Sequence, residues 1–123
     1  MFKVYKKKAG NATVLFLQGR LVTNETPILR DAALSELNTN TVVLDFSRVS
    51  RIDARGLGLL LEMREYAESK GTQFKLINVP RLVKRIFEIS HLDSVFEIIA
   101  EKDLTSAGLQ NQAEPGQMIR AAQ

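Results

Sequence analysis

The sequence predicts an α/β domain built on one mixed sheet of about five strands, the later strands parallel and joined by crossover helices. Three observations carry that expectation. Thr41-Val42-Val43-Leu44-Asp45-Phe46 is a short apolar run rich in β-branched residues, the pattern of a strand buried on both faces. A polar stretch, Ser47 to Arg55, reads as a loop and separates that run from a helix-periodic segment beginning near Gly56 and ending at Gly71. The alternation of strand and helix then continues, because Gln73–Ile77 is followed by an amphipathic segment after Pro80 and by a last apolar run, Val95–Ile99. Parallel strands joined in this way take right-handed crossovers.

Taken in order, Phe2 to Lys8 mixes apolar and basic residues, as in an edge strand whose lysines discourage edge-to-edge pairing. Ala9-Gly10-Asn11 is a turn signal, and Thr13–Leu17 is a second strand that completes an antiparallel hairpin. Gly19-Arg20-Leu21 leaves the sheet. A helix follows, with Thr26 as candidate cap and Pro27 at its first position. Ile28, Leu29, Ala32, Ala33, Leu34 and Leu37 form its buried face, and it ends before Asn38.

The central helix is expected to be capped by Asp53, whose carboxylate can accept from the free N–H groups of the first turn. Leu57, Leu59, Leu60, Leu61, Met63, Tyr66 and Ala67 give it a wide apolar stripe, and Gly71 supplies a left-handed stop after Lys70. In the third helix Leu82, Val83, Ile86, Phe87 and Ile89 are expected inward, with Arg81, Lys84, Arg85 and Glu88 outward. From Ala100 the apolar density falls. Leu104 to Leu109 suit a short helix and Gln110 to Gln123 a tail, so the domain is taken as 1–100 and 101–123 as a C-terminal extension.

At 123 residues, with 45% hydrophobic and 25% charged residues, the chain is large enough for one core without staples. No cysteine is present, which excludes disulfides, thiolate metal sites and Cys nucleophiles. No apolar run reaches the ~20 residues that span a bilayer, and Met1 to Lys8 lacks a signal-peptide pattern. A cytoplasmic protein is expected. The net charge of +3 is spread over Lys6–Lys8, Arg48/Arg51/Arg55 and Arg81/Lys84/Arg85, with no aromatic residues interleaved among them, so nucleic acid is not expected as a partner.

Catalytic chemistry is not expected either. His91 is the single histidine and has no second ligand or nucleophile at a recognisable spacing. Gly56-Leu57-Gly58 lacks the third glycine, lysine and hydroxyl residue of a nucleotide cradle, and close helix-to-sheet approach accounts for these glycines as well. No nucleophile elbow, metalloprotease helix or paired acids occur. The expectation is therefore no catalytic residue, no metal and no cofactor. Ser47 and Ser50 read as turn formers, and Asp45 as a polar strand end that can fix the loop through backbone N–H groups. The carboxyl end of the central strand is where open α/β sheets meet ligands and partners.

Over residues 2–99 the chain resembles the STAS domain of bacterial anti-sigma factor antagonists. The resemblance is carried by Val43-Leu44-Asp45-Phe46, by Ile52-Asp53-Ala54-Arg55-Gly56-Leu57-Gly58, by Leu76-Ile77-Asn78-Val79, and by Val83-Lys84-Arg85-Ile86-Phe87-Glu88-Ile89-Ser90-His91-Leu92. It implies a module that docks an anti-sigma factor, often a serine kinase, through the loop and the helix after the central strand. Phosphorylatable relatives carry Asp-Ser-Ser/Thr-Gly there, with the modified hydroxyl just before the glycine. That position here is Arg55, preceded by Ala54, so the resemblance implies the fold and partner surface without the switch. A Gly-Glu-Leu-Asp common after the second strand is replaced by Gly19-Arg20-Leu21-Val22. The expected partner surface is thus Arg20, Arg48, Ser50, Arg51, Asp53, Ala54, Arg55, Gly56 and Leu57, with the arginines forming one basic patch suited to an acidic partner. The alternative is a small-ligand or anion-binding subunit of a larger assembly, of the lipid-transport or stressosome kind. Self-association into a homodimer stays open.

Overall fold

The computed structural model describes residues 1–36, 39–104 and 119–120. Gly10, at φ +62°, turns β1 (Lys3–Ala9) back on β2 (Ala12–Leu21), and the two pair antiparallel from Lys3↔Gln18 to Ala9↔Ala12. A 3-10 turn, Thr23–Glu25, leads into α1 (Thr26–Leu34). Then follow β3 (Thr41–Ile52), α2 (Ala54–Ser69), β4 (Gln73–Ile77), α3 (Arg81–Ile89) and β5 (Glu97–Ile99). Strands β2 to β5 pair in parallel. A two-residue strand β6 (Ile119–Arg120) lies antiparallel to β1, giving the order β5-β4-β3-β2-β1-β6. The expected five-stranded mixed sheet is therefore present. The outer side of β1, expected as an edge, is paired with β6 at Tyr5 and Lys6.

β3 is apolar on both sides because it feeds two clusters. Val42, Leu44 and Phe46 join Leu15, Leu17 and Leu76 in a core that also takes Leu29, Ala32 and Ala33 of α1, Leu59, Leu60, Met63 and Ala67 of α2, and Val83 and Phe87 of α3. All three helices thus cover one face. Val43 points the other way and packs with Ala12, Val14 and Ile77, with Phe16 and Ile99 beside them. At about 2 kcal/mol for each large aliphatic side chain removed from water, the first cluster dominates folding.

The helical stripes are broader than the contacts they make. Leu34 is 45% exposed, Tyr66 42%, Leu82 74% and Ile89 67%, so these four do not belong to the buried faces assigned to them from spacing. In α3 only Val83 and Phe87 are fully buried; Leu82 and Ile89 lie past the half-buried Ile86, beyond the width the sheet can cover. Thr26 is not a cap. It is the buried first residue of α1, and its hydroxyl donates to the Thr23 carbonyl at 3.1 Å, because the 3-10 turn already delivers the chain in helical geometry. Val95 and Phe96 turn back onto Leu92 before β5 begins. Gly71 does close α2 at φ +73°. Expectations for Leu37 and Asn38, for the end of a Leu104–Leu109 helix and for most of 110–123 fall outside the described residues; a single helical turn, Lys102–Leu104, is present.

Candidate docking edge

The main departure from the sequence reading lies where the site was expected. Ser47 to Ile52 is not a loop: β3 runs on to Ile52, and α2 begins at Ala54, two residues before Gly56. β2 is long enough to pair with this extension, but the register slips twice. Phe16↔Asp45 is followed by Gln18↔Arg48, and Gly19↔Val49 by Arg20↔Arg51, so β3 carries one extra residue at each slip. Phe46, Val49 and Ile52 all reach the core at a spacing of three, where a regular strand would need two. That broken period is why the stretch reads as a loop.

Beyond Asp45 the strand has lost β4 as a neighbour, since β4 ends at Ile77 opposite it. α3 takes that place, with the Phe46 and Phe87 rings edge to face at 6.4 Å. The buried Asp45 fixes the junction: its carboxylate accepts from the Ser47 N–H at 2.8 Å and from the Asn78 amide at 3.3 Å. Asn78 itself sits at φ +54°, a conformation that asparagine tolerates, at the entry to α3.

Asp53 caps α2 as expected. One oxygen accepts from the Gly56 N–H at 2.9 Å, and the other accepts from both the N–H and the hydroxyl of Thr23. Partial burial pushes the carboxyl up, but the hydrogen bonds from Gly56, Thr23 and the Arg55 backbone outweigh it and hold the group below the ordinary aspartate value. Gly56 is required by close approach. A Cβ there would run into the Leu21 carbonyl and stand 2.9 Å from Ile52 Cγ1. Gly58 has nothing within 4 Å of a Cβ, so close approach does not account for it.

The expected partner residues gather at the carboxyl end of the sheet but divide between its two sides. Ala54 and Arg55 are exposed in the first turn of α2, and Leu57 is half-buried against the core. Arg20 and Arg51 are register neighbours, as are Gln18 and Arg48. Because Leu21 and Ile52 enter the helix-side core, the adjacent Arg20 and Arg51 emerge on the opposite face. The single patch expected of four arginines is thus a ridge running over the sheet edge. The Ser50 hydroxyl donates to the Gly19 carbonyl at 3.4 Å, a contact from β3 across to β2 and not the local turn bond expected of it. None of Arg20, Arg48, Arg51 and Arg55 has an ion-pair partner among the described residues.

Sequence reasoning assigned Arg81, Lys84 and Arg85 to a solvated helix face. The structure brings them to the same end of the sheet, where with Val79 and Glu88 they border a shallow surface depression, also unpaired among the described residues. The available signal was their place directly after the neighbouring parallel strand. No helix among the described residues is long and apolar enough to cross a membrane.

A helix-backed mixed sheet whose bulged central strand hands over to an Asp-capped helix defines a STAS-type α/β domain. The family model described as "Mlab, STAS domain" matches residues 4–100, and the chain belongs to the STAS-domain family. It is 28% identical over 90 residues, 72% of its own length and 89% of the other's, to a STAS-domain containing protein of Pseudomonas aeruginosa. Its fold matches the anti-sigma factor antagonist SpoIIAA in its unphosphorylated form (TM-score 0.69, 21% identity, 87% of this chain and 95% of that one). It also matches a putative anti-sigma factor antagonist from Thermotoga maritima (0.75, 21%, 84% and 92%) and an anti-sigma factor antagonist from Mycobacterium paratuberculosis (0.74, 19%, 88% and 94%).

Proposed function

We propose that this chain is a regulatory protein-binding module that docks an anti-sigma factor or serine-kinase-like protein through the Asp53–Gly58 turn and the start of α2, without a phosphorylation switch. Residues 1–100 are the docking domain in this reading, and 101–123 an extension. One observation carries the proposal: the exposed first turn of α2 presents Arg55, a permanent cation with no ion-pair partner among the described residues, where phosphorylatable relatives of the family present a hydroxyl. SpoIIAA is known in both phosphorylated and unphosphorylated forms. A phosphate at such a turn brings nearly two negative charges into the contact surface; Arg55 holds the opposite sign and cannot change it.

The partner surface is accordingly basic. Arg20, Arg48 and Arg51 continue it over the sheet edge, with Ser50 between the last two, and the Asp53 cap keeps Ala54, Arg55, Gly56 and Leu57 in a fixed turn. An acidic partner face fits it, and the attraction falls with salt. The test is co-purification of the tagged full chain from its source cells, with binding then measured on the recovered partner. Arg55→Glu is expected to abolish binding and Arg55→Lys to keep most of it. Unchanged binding by Arg55→Glu, or recovery of a phosphorylated form of the chain altered at this turn, overturns the reading.

A further inference from the structure

On the sheet face opposite α1, α2 and α3, side chains stand in register rows. One row is Tyr5, Phe16, Asp45 and Ile77; the next, toward the carboxyl end, is Lys3, Gln18 and Arg48. Arg20 and Arg51 form the row beyond. A cavity of about 510 Å³ opens over the first two rows, walled by Tyr5, Phe16, Gln18, Asp45, Ser47 and Arg48. Aromatic and basic residues that are far apart along the chain are therefore neighbours here, an arrangement invisible to a linear reading. The volume suits a small molecule rather than a polymer.

The chemistry of the walls is uneven. Phe16 supplies a half-buried ring as part of the floor, and Tyr5 stands beside it as its cross-strand neighbour. Arg48 is exposed and has no acid partner among the described residues. The nearest acid in the cavity, Asp45, is buried and committed to Ser47 N–H and Asn78, so it is not released to neutralise the arginine. Gln18 places an amide, donor and acceptor both, next to the guanidinium.

We infer that this cavity binds a small planar anion, its ring against Phe16 and its anionic group on Arg48. The guanidinium fork matches a phosphate or carboxylate, and the aromatic floor takes any flat ring. A mononucleotide and an aromatic carboxylic acid share this chemistry. The cavity lies away from the α2 turn and shares only Arg48 with the basic surface proposed for the partner, so it does not rest on that partner.

The experiment titrates the full chain with adenosine 5′-monophosphate, benzoate and inorganic phosphate, following backbone amides by NMR and heat by calorimetry. A ring-bearing probe is expected to shift the amides of Phe16–Gln18 and Asp45–Arg48 and to bind more tightly than phosphate. Preference for the nucleotide assigns the anion to a phosphate ester, and preference for benzoate to a carboxylic acid. Arg48→Glu should weaken the ring-bearing probe about tenfold or more. Gln18→Glu, which adds a negative charge in the same row and leaves the arginine in place, should weaken it in the same direction. Phe16→Leu should erase the preference over phosphate. The proposal is overturned if no probe shifts these amides at millimolar concentration, if the shifts centre on Arg55 or Arg81, if phosphate binds as tightly as the tighter of the two ring-bearing probes, or if both charge variants bind like the parent.

Discussion

Asp53 and Thr23 are joined twice: the Asp53 carboxylate accepts both the backbone N–H and the hydroxyl of Thr23, each at 2.9 Å. The same side chain caps α2 through Gly56, so one residue ties the exit of β2 to the entry of the helix. Asp53→Ala should therefore cost more than an ordinary cap, about 2 kcal/mol in urea unfolding. Asp53→Asn, which keeps one acceptor, should cost less than half of that. A loss below about 0.5 kcal/mol for the alanine variant would show that the Thr23 contacts contribute nothing.

The same carboxylate sets a pH dependence. Its folded-state value lies below the ordinary 3.8, so the folded chain holds fewer protons there than the unfolded one. The stabilisation is complete above that ordinary value and is lost as pH falls through the lower folded one. Chemical denaturation from pH 6 down to pH 2 should show less acid loss in Asp53→Asn than in the parent, with the difference confined to the region below about pH 4.

Glu36 acts in the same sense at the other end of the sheet. Burial raises its carboxyl, but the Lys6 ammonium at 2.8 Å and Lys8 at 3.5 Å outweigh that and keep it below the ordinary glutamate value. Glu36→Ala should destabilise by about 1.5–2 kcal/mol, because it removes a buried acid that pairs with the partly exposed Lys6 just past the end of α1. Lys8→Ala, at a largely exposed position, should cost under about 1 kcal/mol. Equal costs for the two would contradict the geometry.

Two glycines two residues apart in α2 should behave oppositely. Gly56→Ala drives a methyl into the Leu21 carbonyl and should destabilise by about 2 kcal/mol or more. Gly58→Ala meets open space inside a helix and should stabilise by about 0.5–1 kcal/mol. Thermal melts of both variants check the signs.

Much of this fold was legible because its signals were local. The β-branched run at Val42–Leu44, the Asp53 cap and the Gly71 stop each declare themselves within a few residues. What failed was whatever depends on neighbours. Leu82 and Ile89 carry the right spacing, yet the sheet beneath α3 is too narrow to cover them. Ser47–Ile52 looks like a loop because two inserted residues hide its period from any reading that lacks β2 alongside. Of the candidate docking residues, Arg55 could be placed from the cap alone. The grouping of Arg20 with Arg51, and of Phe16 with Arg48, needed the strand register.

The two inserted residues of β3 also govern heading. With both present, the strand twists more strongly past Asp45, where β4 has already ended and α3 packs against Phe46. Excising one residue at each slip would leave every inward side chain inward, because the remaining sequence from Asp45 to Ile52 alternates faithfully. The molecule would keep its interior and lose its aim: a straighter strand would release α2 at a different angle, and Arg55 would face another direction on an otherwise intact domain.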